Sequence, residues 1–81
     1  MNMVMEFMRQ CLSYYMLPLS WGICNIRVSN SSICFYVNGS KYQGEVMIKE
    51  RDTKIMVWLA TYEVEFSDAV EALRWLDYKI E

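Results

Sequence analysis

Short turn signals divide the centre of the chain into four runs that alternate like β-strands. The runs are residues 22–29, 32–37, 42–50 and 54–61. Asn38-Gly39 is the strongest two-residue hairpin signal among them, since both central positions of a type I′ turn need positive φ. Weaker turn signals stand at Asn30-Ser31 and Arg51-Asp52. Turns this short join antiparallel strands, so the sequence predicts a meander of consecutive strands.

The registers of the three predicted hairpins agree with one another. Two-residue loops place one apolar set on a single face of the sheet. The predicted pairs are Val28–Ile33, Ile26–Phe35, Cys24–Val37, Phe35–Tyr42, Ile33–Gly44, Ile48–Ile55, Val46–Val57 and Gly44–Leu59. A slip of one residue would move a strand's apolar set to the other face, so this agreement favours four paired strands. After Thr61 the alternation fails, and we expect the chain to leave the sheet there.

Helical periodicity flanks the strands at both ends of the chain. Residues 2–16 have an apolar residue at i, i+3, i+4 and i+7 spacing, which is typical of an amphipathic helix. The predicted stripe is Met1, Val4, Met5, Met8, Cys11, Leu12 and Tyr15, with Phe7 and Tyr14 beside it. Pro18 ends this helix. Ser67 or Asp68 caps a second helix. Its predicted inner stripe is Ala69, Ala72, Leu73, Leu76 and Ile80.

These elements predict one α+β domain over residues 1–81, in the order α-β-β-β-β-α. Four strands about 4.8 Å apart make a sheet about 15–20 Å wide. Two helices of about 10 Å diameter cover that width on one face, which leaves the other face uncovered. In an alternative arrangement, the first helix crosses to the second face and makes a three-layer sandwich. The positions of Phe7 and Tyr14 outside the main stripe leave this open.

The uncovered face has an apolar centre, because the fourth run is apolar on both sides. Met47 is expected opposite Met56, with Trp58 diagonal to Met47. Methionine and tryptophan are enriched at protein interfaces. The predicted partner interface is Trp58, Met56, Met47, Tyr36 and Ile23. The sequence therefore predicts a small non-catalytic protein-interaction module that forms a homodimer or docks on a partner protein.

Several chemistries lack the residues that they need. The chain contains no histidine, the usual general acid or base at neutral pH. Cys11, Cys24 and Cys34 have no metal-like spacing, and we interpret them as reduced, buried thiols. We expect no catalytic residue, cofactor or metal. The acidic residues Glu63, Glu65 and Asp68 are interpreted as a solvated connection. The first residues lack a signal-peptide pattern, so a cytoplasmic location without a membrane segment is predicted.

The net charge of −2 argues against nucleic acid as a partner. Helix, sheet, helix is also the order of double-stranded-RNA-binding domains, but the second helix here opens with the acidic stretch SDAVEAL. The stretch LATYEVEFSDAVEALRWLD, about a quarter of the chain, is loosely similar to the last strand and helix of AP2-type and integrase arm-binding domains. Those domains read DNA with the face of a small sheet. The resemblance implies an alternative, a DNA-binding accessory protein with contacts at Arg27, Lys41 and Lys49.

Overall fold

The computed structural model describes residues 3–13 and 20–81. Its elements are α1 (Met3–Ser13), β1 (Cys24–Val28), β2 (Ser32–Asn38), β3 (Gln43–Arg51), β4 (Lys54–Leu59), β5 (Tyr62–Phe66) and α2 (Ala69–Ile80). The strands form one antiparallel sheet in the order β1-β2-β3-β4-β5. The predicted α+β class is confirmed, but the sheet has five strands instead of four. The predictions for Met1, Tyr14, Tyr15 and Pro18 lie outside the described residues.

The fifth strand corrects the prediction that the chain leaves the sheet after Thr61. A two-residue turn at Ala60-Thr61 lets β5 pair with β4, with Val57 opposite Val64 and Ile55 opposite Phe66. Such a turn reverses which sequence parity faces the core. Even-numbered residues of β5 therefore share the core face with odd-numbered residues of β4. The alternation is therefore interrupted because the chain turns at this point. The turn contains no glycine, and Ala60 adopts the positive φ of 54°.

The hairpins on both sides of β3 differ in register from the prediction. Asn38 pairs with Gln43, so the β2–β3 loop contains residues 39–42 instead of two residues. The next turn lies at Asp52-Thr53, one residue later than predicted, with φ of 51° and 64°. The first pairing therefore shifts by four residues and the second by two. Because both shifts are even, the predicted faces of β2, β3 and β4 are retained.

β1 is bulged, and this changes the orientation of its first residues. Cys24 pairs with Tyr36 and Arg27 with Cys34, so two β1 residues lie opposite one residue of β2. Asn25 has a φ of 54° within this bulge. An extra residue reverses the side-chain alternation before it. The predicted Cys24–Val37 and Ile26–Phe35 pairs are therefore wrong, whereas the Val28–Ile33 pair is confirmed.

The two helices lie on the same face of the sheet, which excludes the three-layer alternative. α1 packs against α2, β3 and β4, and its buried residues join the same core as those of α2. α1 is rotated from the prediction, because Val4 and Phe7 are each 1% exposed, whereas Met5 is 58% and Leu12 74% exposed. The large ring of Phe7 is one of the buried residues of the core. Neither α1 nor α2 is long and apolar enough to cross a membrane.

α2 buries all five residues of its predicted stripe. Asp68 is the N-cap, and its carboxylate accepts a hydrogen bond from the Val70 N–H at 3.3 Å. The β2–β3 loop lies against the other end of this helix. There the Lys41 N–H donates to the Ile80 carbonyl at 2.9 Å. Gly39 is so close that a Cβ at this position would overlap Ile80.

Trp21 joins the segment before β1 to the C-terminal helix. Its side chain is completely buried, and its indole N–H donates to the Asp77 carboxylate at 2.9 Å. Its carbonyl accepts from the Asn38 N–H at 2.7 Å. Asp77 is half-buried. The sequence pattern assigned no role to Trp21, because it precedes the first periodic strand residues.

Candidate functional site

The side of the sheet opposite the helices is uncovered among the described residues, and we call it the open face. One row of its side chains crosses all five strands. The strand registers place these residues in the order Arg27, Cys34, Met47, Trp58 and Glu63. The row begins with a cation, has apolar side chains at its centre and ends with an anion. The open face is therefore an apolar strip with charged edges.

Trp58 and Met47 form the centre of this strip. They are directly opposite each other, and not diagonal as predicted, because the β3–β4 register differs by two residues. Both side chains are half-buried. The indole N–H of Trp58 donates to the Glu63 carboxylate at 2.8 Å, which fixes the ring next to Met47. An ordered indole beside a flexible thioether is a common combination in protein interfaces.

The other predicted interface residues contribute less than expected. Met56 lies on the open face opposite Lys49, but it is only 7% exposed. Tyr36 is 43% exposed and lies opposite Glu45, beside the apolar centre. Ile23 is not on this face. It packs against the hydrophobic core, because the β1 bulge reverses its orientation, and the interface prediction for Ile23 is therefore wrong.

A shallow depression of about 220 Å³ lies beside the centre of the strip. It is lined by Tyr42, Glu45, Met47, Trp58 and Ala60. Tyr42 was not predicted to belong to this surface. Its hydroxyl donates to the Glu45 carbonyl at 2.9 Å, which holds the ring beside β3. The positive φ of 153° at Gly44 and the close approach of Tyr42 explain why glycine occupies that position.

Charged side chains surround the apolar centre. Arg27 donates to the Glu45 carboxylate at 2.6 Å, and this bond raises the pKa of the exposed guanidinium. Lys54 lies 3.8 Å from the Glu65 carboxylate. The Lys49 ammonium makes no hydrogen bond or ion pair with any of the described residues. Exposed ion pairs add little stability, so these charges contribute little to the stability of the fold.

The three cations of the DNA-binding alternative do not lie together. Arg27 is paired with Glu45 at one edge, and Lys49 is on β3. Lys41 belongs to the β2–β3 loop, where its ammonium donates to the Tyr78 carbonyl at 3.0 Å and lies 4.5 Å from the Tyr78 ring centre. The prediction that Lys41 is part of the open face is wrong, because the loop folds toward α2.

The cysteines and carboxylates form no reactive cluster within residues 3–13 and 20–81. No group of three potential metal ligands occurs in this part of the chain. All three cysteines are free, but Cys24 is exposed, which corrects the prediction that every thiol is buried. Burial raises the pKa of the Cys11 thiol to about 12. Glu63 and Glu65 are exposed, but they belong to β5 and share the open face, so they are part of the sheet instead of a connection.

The structure also contains an aromatic cluster that the sequence pattern did not predict. The Trp75 ring lies 5.8 Å from Tyr62 and 5.7 Å from Phe66, between centroids. The Lys79 ammonium lies 4.4 Å from the Tyr62 ring centre. The alternation of Tyr62, Val64 and Phe66 predicts that these side chains share one face, provided that residues 62–66 are assigned to a strand. This cluster anchors α2 on the edge strand, on the side away from the open face.

Comparison with known proteins gives no function for this arrangement. The chain matches no family model, no curated protein and no solved structure. The functional conclusion therefore depends on the geometry of the open face.

Proposed function

We propose that this chain is a small, non-catalytic protein-interaction module that binds a second copy or a partner protein through the open face. The single observation that carries the proposal is the position of Trp58 beside Met47, at the centre of the face that both helices leave uncovered. Both are half-buried, so a partner can bury the remainder. Charged residues at the edges provide the polar rim that usually surrounds such a centre.

The strength of the interaction follows from the few apolar side chains that remain exposed. Burying a large apolar side chain contributes about 1.5–3 kcal/mol when it was fully exposed, before the costs of association. Trp58, Met47 and Tyr36 each retain only part of that gain, and Met56 retains almost none. We therefore expect a weak interaction that forms and dissociates quickly.

A cytoplasmic location is part of this proposal. It is supported by the three free cysteines, because exposed thiols such as Cys24 persist in a reducing compartment.

Photochemical crosslinking at position 47 tests the proposal directly. A photo-reactive amino acid replaces Met47 in the full chain, and the matched control carries it at Glu71, which is exposed on α2. We expect ultraviolet-dependent adducts of defined mass from position 47 and few or none from position 71. Trp58→Lys in the same chain should abolish these adducts while circular dichroism stays unchanged. No adduct from position 47, either in cells or with the purified chain at about 1 mM, would refute the proposed function.

A further inference from the structure

We propose that the partner is a second copy of this chain, and that β3 of one copy crosses β3 of the other in the antiparallel sense. The two-fold axis runs across the strands and passes between the two Met47 side chains. This inference rests on the proposed function, and it adds the identity of the partner and its orientation. The observation behind it is the order of charges along β3.

The open-face residues at the centre of β3 read acidic, apolar and basic. Glu45 lies opposite Tyr36, Met47 opposite Cys34 and Lys49 opposite Ser32, so all three share one face. Reversing this strand over its own copy places Glu45 of each chain over the partner's Lys49. The same operation places Met47 on the axis. One strand therefore supplies two opposite-charge contacts around an apolar centre.

An axis along the strands gives a worse match at the centre of the interface. Such an axis would place Glu45 of one chain over Glu45 of the other, and Lys49 of one chain over Lys49 of the other. Like charges facing each other are unfavourable, and Lys49 has no partner among the described residues that would neutralise it. The antiparallel arrangement instead supplies a carboxylate to this unpaired ammonium. Charge complementarity therefore favours the axis across the strands over the axis along them.

The selected arrangement brings like charges together only at the sheet edges. There the Arg27 side chains of the two copies face each other, and so do the Glu63 side chains. Within its own chain Arg27 already pairs with Glu45 at 2.6 Å, and Glu63 accepts the Trp58 indole N–H at 2.8 Å. Edge charges are also the most exposed to solvent and salt, which screens their repulsion. The central contacts therefore dominate the preference.

The size of the face indicates a weak dimer. Five strands about 4.8 Å apart span about 20 Å, and six residues of a strand also span about 20 Å. This flat area of about 400 Å² is smaller than the roughly 800 Å² per partner of standard stable interfaces. The association therefore requires measurement at concentrations from about 10 µM to about 1 mM.

Charge-swap variants test the orientation by sedimentation equilibrium at low salt. In Lys49→Glu, both central contacts become Glu–Glu pairs, and in Glu45→Lys both become Lys–Lys pairs. Each variant alone should raise the dimer Kd by about 10- to 100-fold, from the loss of two weak attractions and the gain of two repulsions. The double variant Glu45→Lys with Lys49→Glu should return the Kd to within about threefold of the original. An equimolar mixture of the two single variants should associate more tightly than either alone.

The control variant is Glu71→Lys, which changes the charge on the outer side of α2. Its dimer Kd should equal that of the unmutated chain. Glu45→Lys also removes the Arg27 contact, so Lys49→Glu is the cleaner single variant. Circular dichroism of every variant should be superimposable on that of the unmutated chain.

A short crosslinker provides an independent measurement. Cys34 is the neighbour of Met47 in the central row, so the proposed axis places it over its own copy. Facing sheets about 10 Å apart leave a gap that a bis-maleimide of about 8 Å spans. A chain with Cys11→Ala and Cys24→Ser should form a covalent dimer through Cys34. No Cys34-linked dimer from a chain that sediments as a dimer would overturn the orientation.

The outcomes separate this inference from the proposed function. In one outcome the chain dimerises and Trp58→Lys dissociates the dimer, but the double variant dimerises as weakly as the single variants. The antiparallel orientation is then wrong, and the proposed interaction module still stands. If the chain is monomeric up to about 1 mM while position 47 crosslinks to a different protein, self-association is overturned and the proposed function stands. No adduct from position 47 overturns both.

Discussion

The hydrogen bond between Trp21 and Asp77 should stabilise the fold more than any other single polar contact of the described residues. It connects groups 56 residues apart, and the indole that donates it is completely buried. Hydrogen bonds to charged groups contribute about 1.5–3 kcal/mol. Because Asp77 is half-buried, we expect a coupling of about 1–2 kcal/mol between the two side chains. A chain of this length has a total stability of about 4–12 kcal/mol, so this coupling is a large share.

A double-mutant cycle measures that coupling. The variants are Trp21→Phe, Asp77→Ala and the combination, with urea unfolding followed by far-ultraviolet circular dichroism. Asp77→Asn is the matched control, because its amide oxygen still accepts the indole hydrogen bond. We expect Asp77→Ala to lower the melting temperature by about 4–16 °C, at about 4–8 °C per kcal/mol. Additive effects, with a coupling below about 0.3 kcal/mol, would show that the contact does not hold the C-terminal helix in place.

Three further predictions concern the turns and the thiols. Thr53→Gly should raise the unfolding free energy by about 0.5–1 kcal/mol in urea titrations, since a β-branched residue is strained at a φ of 64°; a loss of stability would contradict the positive-φ turn. Gly39→Ala should lower it by about 1–3 kcal/mol, because the added Cβ overlaps Ile80, whereas Ser40→Ala, on an exposed residue, should have little effect. Iodoacetamide at about pH 8 should alkylate Cys24 first and Cys11 last in mass spectra, because burial raises the Cys11 pKa to about 12 and only the thiolate reacts. Equal alkylation rates of Cys24 and Cys11 in the folded chain would refute the assigned burial.

The central strands could be predicted from the sequence because their register errors did not change side-chain orientation. The β2–β3 pairing differed by four residues and the β3–β4 pairing by two. Val46, Ile48 and Val57 therefore face the core as expected, and Met47 and Trp58 share the open face. The alternation of apolar and polar residues predicts the face on which each side chain lies. It does not distinguish between registers that differ by an even number of residues.

The remaining differences come from single residues with unusual backbone conformations. Ala60 and Asn25 both have a φ of 54°, and neither is the glycine that a pattern search expects. The turn at Ala60 adds a strand, and the bulge at Asn25 moves Ile23 from the predicted interface to the core. The rotation of α1 follows from the size of Phe7, which periodicity alone does not weigh. Local backbone exceptions of this kind are set by tertiary packing.

The bulge in β1 also restricts how copies of this chain can meet. A regular outer strand offers unpaired N–H and C=O groups to a neighbour, and continuous sheets of many chains grow in that way. In the β1 bulge, two residues lie opposite one residue of β2. This arrangement bends the outer strand and interrupts its row of unpaired groups. At the other border, the acidic side chains Glu63 and Glu65 repel an incoming copy of the same strand. Lateral polymerisation is thus opposed at both borders, which leaves the open face as the surface for the proposed contact between copies.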